Sequence, residues 1–257
     1  YNTQKLGAIF ALPANILQPA TLRGNINTID SKISLDGNIP LVGYDNMQIE
    51  NTTLSFNSLD SAFQGIIKSK LQMENGVYTL GLNAKGANNT IHATLNANNN
   101  DTTFRMNGNI EAMAEFLKDS RNNLETHLKV FPTDLNVGKL KLQMLPSTIL
   151  NTAEKTEINN FGITFAGSDR KYFFVDALLS SDSTASVNDS IRVSFDRSQI
   201  GDLLGAFNID NIKAEIDGSI LFKKTASQPE LLTQGFKVAD IIIFNDTLGT
   251  LNLDSQW

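Results

Sequence analysis

The sequence contains no cysteine, and this absence excludes several kinds of chemistry. Without a thiol in 257 residues, zinc–thiolate sites, iron–sulfur clusters, thiol catalysis and disulfide bonds are all ruled out. The redox state of the compartment stays open, because a cysteine-free chain suits an oxidising or a reducing one.

A surplus of basic charge and long apolar runs are also lacking. The 21 Lys and Arg residues are outnumbered by 27 Asp and Glu, which gives a net charge of -6. A sequence-independent nucleic-acid binder needs a basic surface, so we expect no nucleic-acid partner. No run of 18 apolar residues occurs, so no helix is predicted to cross a bilayer.

The two ends lack the features of a complete chain. The sequence starts at Tyr1 without a methionine or a signal-peptide pattern, and its end, Leu248–Trp257, breaks off inside an alternating strand pattern. We therefore expect an internal fragment of a longer protein.

Catalytic and metal-binding motifs are missing as well. There is no G-x-S-x-G elbow and no glycine-rich phosphate loop. His92 and His127 have no carboxylates at ligand spacing and are predicted to be solvent-facing strand residues. The segment 182–189 lacks the Gly and Glu of a calcium loop, which favours a hairpin tip. We expect no enzyme, no metal and no cofactor; an enzyme of unrecognised type is the remote alternative, since triads assemble in space.

Alternation of apolar and polar residues dominates what is present, and it predicts strands. Clear examples are Ile33–Ile39, Ile91–Ala97, Ile191–Asp196 and Ile212–Ile220. The chain has 29 Asn and 17 Gly, many of them in turn clusters such as Asn98–Asp101. Strands at this spacing predict a mainly β fold with a long meandering antiparallel sheet.

Two stretches instead have the spacing of amphipathic helices, Asn109–Asn122 and Asp196–Asn208. We therefore predict two short helices beside the sheet. The predicted organisation is a β-sheet segment over 1–108, a helix-containing connection over 109–151, and a β-sheet segment over 152–257 that continues beyond the fragment.

The apolar side of the predicted strands is the most informative feature. Two short helices are too few to cover so long a sheet, so the apolar side must roll up, pair or bind something. The alternative is the closed core of an ordinary sandwich or barrel. The candidate lining positions share one parity along their own strands: Ile33, Leu35, Ile39, Leu54, Phe56, Leu80, Leu82, Phe104, Met106, Phe165, Phe173, Val175, Val193, Phe195, Ile212, Ile216, Ile220 and Phe222.

A recurrent pattern of apolar, polar, Gly, polar and apolar residues carries a resemblance to a known family. It occurs at Leu35–Ile39 and again at Ile216–Ile220. The second copy continues past Pro229 into the strand Phe236–Asp240 and the segment Leu248–Leu251. This succession of strands resembles the AsmA-like superfamily, in particular its TamB-like members.

The resemblance implies a rolled or taco-like sheet with an apolar groove, within a periplasmic bridge anchored in the inner membrane by a segment absent from this sequence. Members are linked to phospholipid transport between membranes, protein secretion and outer-membrane biogenesis. The implied partners are phospholipid, an outer-membrane β-barrel protein joined by strand pairing, and neighbouring segments of the same chain. No catalytic residue is carried over. The alternative function is a periplasmic or surface β-sandwich that binds carbohydrate or protein, which the Asn-rich turns favour.

Overall fold

The computed structural model describes residues 15–44, 47–59, 61–73, 76–99, 101, 105–167, 171–180, 189–205, 209, 211–224 and 228–255. These residues form 18 strands and one short helix. The strands belong to one long sheet, and the strand pairs whose register is defined are antiparallel. The prediction of a mainly β fold with a long meandering antiparallel sheet is confirmed.

The strands of the first half are β1 (Asn15–Ile16), β2 (Thr21–Asn27), β3 (Lys32–Tyr44), β4 (Met47–Leu59), β5 (Ala62–Met73), β6 (Gly76–Ala87), β7 (Thr90–Asn99) and β8 (Met106–Lys118). Those of the second half are β9 (Leu124–Val130), β10 (Thr133–Val137), β11 (Leu140–Met144), β12 (Ser147–Asn151), β13 (Lys155–Phe165), β14 (Lys171–Ser180), β15 (Ser190–Gln199), β16 (Ile212–Lys224), β17 (Pro229–Ile243) and β18 (Asp246–Leu253). The helix α1 (Ile200–Gly205) lies between β15 and β16.

The chain divides into two units, residues 1–113 and 114–257, with the boundary inside β8. In the first unit β2 to β7 form a meander in which every strand pairs with the next. The short β1 pairs with the far end of β3, so β1 and β2 follow the same edge of that strand. The predicted domain boundaries at residues 108 and 151 stay predictions.

The second unit contains a long hairpin that is interrupted once on each side. β9 and β10 form one side, and β11 and β12 form the other. The register is the same before and after the interruption, with Val130 opposite Ser147 and Thr133 opposite Met144. Pro132 and Pro146 lie inside the interruption. Because proline has no N–H to donate, the ladder breaks there. Strands β13 to β18 then continue as a meander.

The first predicted helix, Asn109–Asn122, is wrong. Most of this stretch belongs to strand β8. Ile110, Ala112, Ala114 and Phe116 also alternate with other residues, so the segment satisfies a strand pattern as well as a helical one. Sheet pairing is decided by neighbouring strands and overrides a local helical preference of a few tenths of a kcal/mol per residue.

The second predicted helix, Asp196–Asn208, is correct only in part. Asp196–Gln199 complete strand β15, and the helix covers Ile200–Gly205. Residues 206–208 lie outside the described part of the chain. The helix packs against β16, where Gly201 lies next to the Lys213 side chain.

Bulges adjust the ladders without moving the apolar side chains to the other face. In the first unit the β4–β5 register shifts between Glu50 and Thr53, and Asn51 has φ 51°. Asparagine adopts this left-handed conformation more readily than most residues with a side chain. Before the shift Ile49 pairs with Leu71, and after it Leu54 pairs with Ile67. The parity of the apolar residues along β4 therefore changes from odd to even while apolar residues stay opposite one another.

Buried hydrophobic side chains are few and unevenly distributed. Among the described residues they are Tyr78, Val130, Leu142, Met144, Tyr172, Ala177, Ala214 and Ala239. Tyr78 alone belongs to the first unit. The two units thus differ in how far their apolar side chains are removed from water.

Candidate functional site

The first unit has an apolar face that is built row by row across its strands. Residues opposite each other in a ladder point to the same side of the sheet. Ile67, Leu82 and Leu95 form one such row across β5, β6 and β7. We call the following residues the first apolar face: Leu22, Ile26, Ile33, Leu35, Ile39, Leu54, Phe56, Phe63, Ile67, Leu80, Leu82 and Leu95. The predicted lining residues of β3, β4 and β6 all belong to it.

Side chains of the first apolar face contact one another sideways, and many remain open to solvent. The rings of Phe56 and Phe63 stack with centroids 5.6 Å apart. Ile26 is 70% exposed and Leu95 is 44% exposed. An exposed apolar surface of this extent is typical of a site that binds a ligand or a partner.

The opposite face of the first unit is polar. Asn57, Gln64, Lys85 and His92 lie directly opposite one another in a row across β4, β5, β6 and β7. The sheet of this unit is therefore amphipathic, with mainly aliphatic side chains on one side and mainly polar and charged side chains on the other, where Ile66 is an exception.

The second unit also gathers its predicted lining residues on one face. One row is Phe161, Val175, Val193 and Ile220, across β13 to β16. We call the following residues the second apolar face: Leu142, Phe161, Ile163, Phe165, Phe173, Val175, Ile191, Val193, Phe195, Ile220 and Phe222. The predicted lining residues Phe165, Phe173, Val175, Val193, Phe195, Ile220 and Phe222 share this face, and their role in lining a lipid-binding groove stays a prediction.

Aromatic contacts close much of the second apolar face onto itself. The Phe165 and Tyr172 rings meet edge to face at 4.8 Å, and those of Phe195 and Phe236 at 6.3 Å. The Tyr172 hydroxyl donates to the Gln199 carbonyl, and a buried serine in β15 donates to the Tyr172 carbonyl. Phe161, Ile191 and Phe222 nevertheless remain 39%, 38% and 51% exposed, so this face is closed only in part.

Four further predicted lining residues remain. Ile212 and Ile216 share the parity of Ile220 along β16. Ile212 pairs with Ile243, and Ile216 pairs with Val238. Met106 begins β8, and its N–H donates to the Asn99 side chain at 2.6 Å. Phe104 lies outside the described residues.

Sequence reasoning missed Phe63, Phe161 and Tyr172 as members or neighbours of these faces. The signal for Phe161 was its parity, because it lies two and four residues before Ile163 and Phe165. Tyr172 carried no such signal: it lies at a register shift between β13 and β14, so its parity along the strand did not reveal its contact with Phe165.

The histidines differ from each other. His92 is exposed on the polar face, as predicted. His127 is half-buried, and its Nε2 lies 3.5 Å from a Glu125 carboxylate oxygen, so the prediction of a solvent-facing residue fits it only in part. No group of three or more His, Asp or Glu suitable for a metal ion occurs among the described residues. The predicted hairpin tip at 182–189 lies outside them except for Asp189.

In the described part of the chain no helix is both long and apolar enough to cross a membrane. Comparison with protein-family models, with characterised proteins and with solved structures gave no match. Membership of the AsmA-like superfamily therefore stays a prediction, and a function has to be inferred from the faces of the sheet.

Proposed function

We propose that this chain is a non-catalytic, TamB-like segment of a cell-envelope protein whose first apolar face shields lipid acyl chains. The observation that carries the proposal is the row of Ile67, Leu82 and Leu95, in which Ile67 and Leu95 are exposed and Leu82 is half-buried, and which continues an apolar surface over neighbouring strands. The proposed ligand is phospholipid, and the proposed location is the periplasm, as the family resemblance implies.

The chemistry of this face suits acyl chains. Its side chains are mostly aliphatic, and each CH₂ group that a ligand buries contributes about 0.8 kcal/mol. Six strands from β2 to β7 at about 4.8 Å spacing give a surface about 24 Å wide. An acyl chain that lies across these strands meets apolar side chains from each ladder without needing a specific polar contact.

A second candidate function is assembly of outer-membrane β-barrel proteins by strand pairing. Strand β18 pairs with β17 and is exposed along most of its length in the described structure. Its sequence, DTLGTLNL, contains no Lys, Arg or Pro of the kind that blocks pairing at sheet edges. A strand of this composition does not oppose pairing with a strand of another protein.

The acyl-chain proposal is tested by two neighbouring substitutions on opposite faces. Ile67→Asp changes the first apolar face, whereas Ile66→Asp makes the same change on the polar face, because Ile66 pairs with Asn83. Phospholipid extracted from each purified protein is quantified by mass spectrometry. We expect stoichiometric phospholipid with the wild type and Ile66→Asp, and a loss of most of it with Ile67→Asp.

Circular dichroism and thermal unfolding of both variants separate a lost ligand from a lost fold. The proposal is wrong if the wild-type extract is free of lipid, or if two folded variants lose phospholipid equally. Saturable binding of a sugar by a lipid-free wild type would instead favour the carbohydrate-binding alternative.

A further inference from the structure

The polar face of the first unit contains a depression of about 610 Å³. The row Asn57, Gln64, Lys85 and His92 lines it, and Thr90 lies at the same end of the strands. Ala62 and Ala87 contribute short side chains that leave the space free. A volume of this size lies within the range of about 300–1,000 Å³ that small-molecule sites occupy.

The lining of this depression combines the apolar side chains of Ala62, Phe63 and Ala87 with several hydrogen-bond donors, and it includes no acid. Asn57 and Gln64 offer amide N–H groups, Lys85 an ammonium group and His92 a ring N–H. Lys85 and His92 are direct cross-strand partners. The Cβ atoms of such a pair lie about 5 Å apart. An ammonium group and an imidazole ring are thus held together without an acidic residue in the lining.

A depression on the polar face of the second unit has about 510 Å³ and a different charge arrangement. There Lys155 Nζ lies 2.7 Å from Glu157 Oε2, and this contact is the main reason that the pKa of Glu157 is lowered. Asp176 lies directly opposite Arg192 in the same depression. In the second depression the cations have acidic side chains beside them, whereas no acidic side chain lines the first depression.

We propose that the depression of the first unit binds an anionic group, a phosphate or a carboxylate. Lys85 supplies the charge, and Gln64, Asn57 and His92 donate hydrogen bonds to the anion's oxygens. Charge-assisted hydrogen bonds of this kind are about twice as strong as neutral ones. The polar groups of the proposed site lie on the opposite side of the sheet from the acyl-binding surface, although Phe63 of the first apolar face also lines the depression.

Titration calorimetry with inorganic phosphate and with acetate tests the site, using Lys85→Gln and His92→Gln as variants. Lys68→Gln is the matched control, because Lys68 is an exposed lysine of the same face and pairs with Gly81 outside the depression. Removing a charged hydrogen-bond partner costs about tenfold or more in affinity. We expect that loss for Lys85→Gln, a smaller loss for His92→Gln, and wild-type affinity for Lys68→Gln.

A second arm uses phosphatidylcholine vesicles with and without phosphatidic acid. Binding of phosphate in solution supports a site for a free anion, and binding to phosphatidic acid vesicles alone supports recognition of a lipid headgroup. The proposal is overturned if neither the anions nor the vesicles show saturable binding. It is also overturned if Lys68→Gln weakens binding as much as Lys85→Gln, because the attraction is then a general effect of positive charge.

Discussion

The two units use the same antiparallel ladder, yet they treat their apolar side chains differently. In the first unit Leu82 and Leu95 lie in regular rows, and the ladders from β5 to β7 run without a register shift. In the second unit four ladders contain register shifts, and side chains such as Leu142 and Met144 are buried. Bulges bend strands, but Leu142 and Met144 lie in ladders that contain no register shift, so the shifts and the burial are two separate differences between the units.

This difference assigns separate roles to the two apolar faces. The aromatic side chains of the second face mainly stabilise their own unit, as the contact of Phe195 with Phe236 illustrates. The aliphatic side chains of the first face are less buried, so they contribute less to the free energy of unfolding of their own unit and remain available to a ligand. Experiments that compare matched positions in the two units test this assignment.

The largest contrast is expected from removing a leucine side chain in each unit. Leu142 is 3% exposed, so Leu142→Ala should lower the free energy of unfolding by about 2–5 kcal/mol through lost burial and a cavity. Leu82 is only half-buried, and Leu82→Ala should cost about 1–2 kcal/mol. Hydrogen exchange, followed separately for amides of β11 and β6, measures the stability of each unit. Equal losses in the two units would contradict the comparison.

A smaller contrast is expected from adding a methyl group to a glycine in each unit. At Gly162 a Cβ would lie 2.6 Å from the Phe174 Cα. The backbone of β14 cannot easily move away from this added methyl group. At Gly86 it would meet the outer atoms of the Phe63 ring. Gly162→Ala should therefore destabilise by about 1–3 kcal/mol, and Gly86→Ala by less, because the ring can turn aside. Urea unfolding measures both, and a more severe effect of Gly86→Ala would show that the first face is tightly packed.

The smallest effect is expected in the turn between β8 and β9. The Asp119 carboxylate accepts hydrogen bonds from the Asn123 side chain and from the N–H groups of Asn123 and Arg121. The Asn123 contacts are the main reason that its pKa is lowered. The resulting stabilisation is present above the pKa of an unfolded aspartate and is lost as the pH falls through the lower folded value. Asn123→Ala should raise the Asp119 pKa, which an NMR titration of the carboxyl group measures; an unchanged pKa would contradict this cause.

Much of the architecture was predictable because alternation is a local signal. The segments Ile33–Ile39 and Ile91–Ala97 each show which side of their strand is apolar. A meander then brings those sides together without any further information, since every strand pairs with its neighbour in sequence. This is why most predicted lining residues share a face with residues that are distant in the chain.

The remaining features depend on contacts that local patterns do not contain. Strand β8 has a helical spacing as well as a strand spacing, and only pairing decides between them. The bulge at Asn51 depends on a backbone conformation that asparagine permits but does not require. The row that joins Asn57 to His92 depends on the register of three ladders, which no single strand reveals.

The nearest-neighbour pairing of β2 to β7 has a consequence for how such a protein changes in length. Because each ladder joins strands adjacent in sequence, the loops that must close are short and their entropic cost is small. Removal of two successive strands, such as β4 and β5, leaves two strands that run in opposite directions and can still pair with their apolar sides together. The sheet can therefore grow or shrink by whole hairpins, and the distance that it spans is an adjustable quantity.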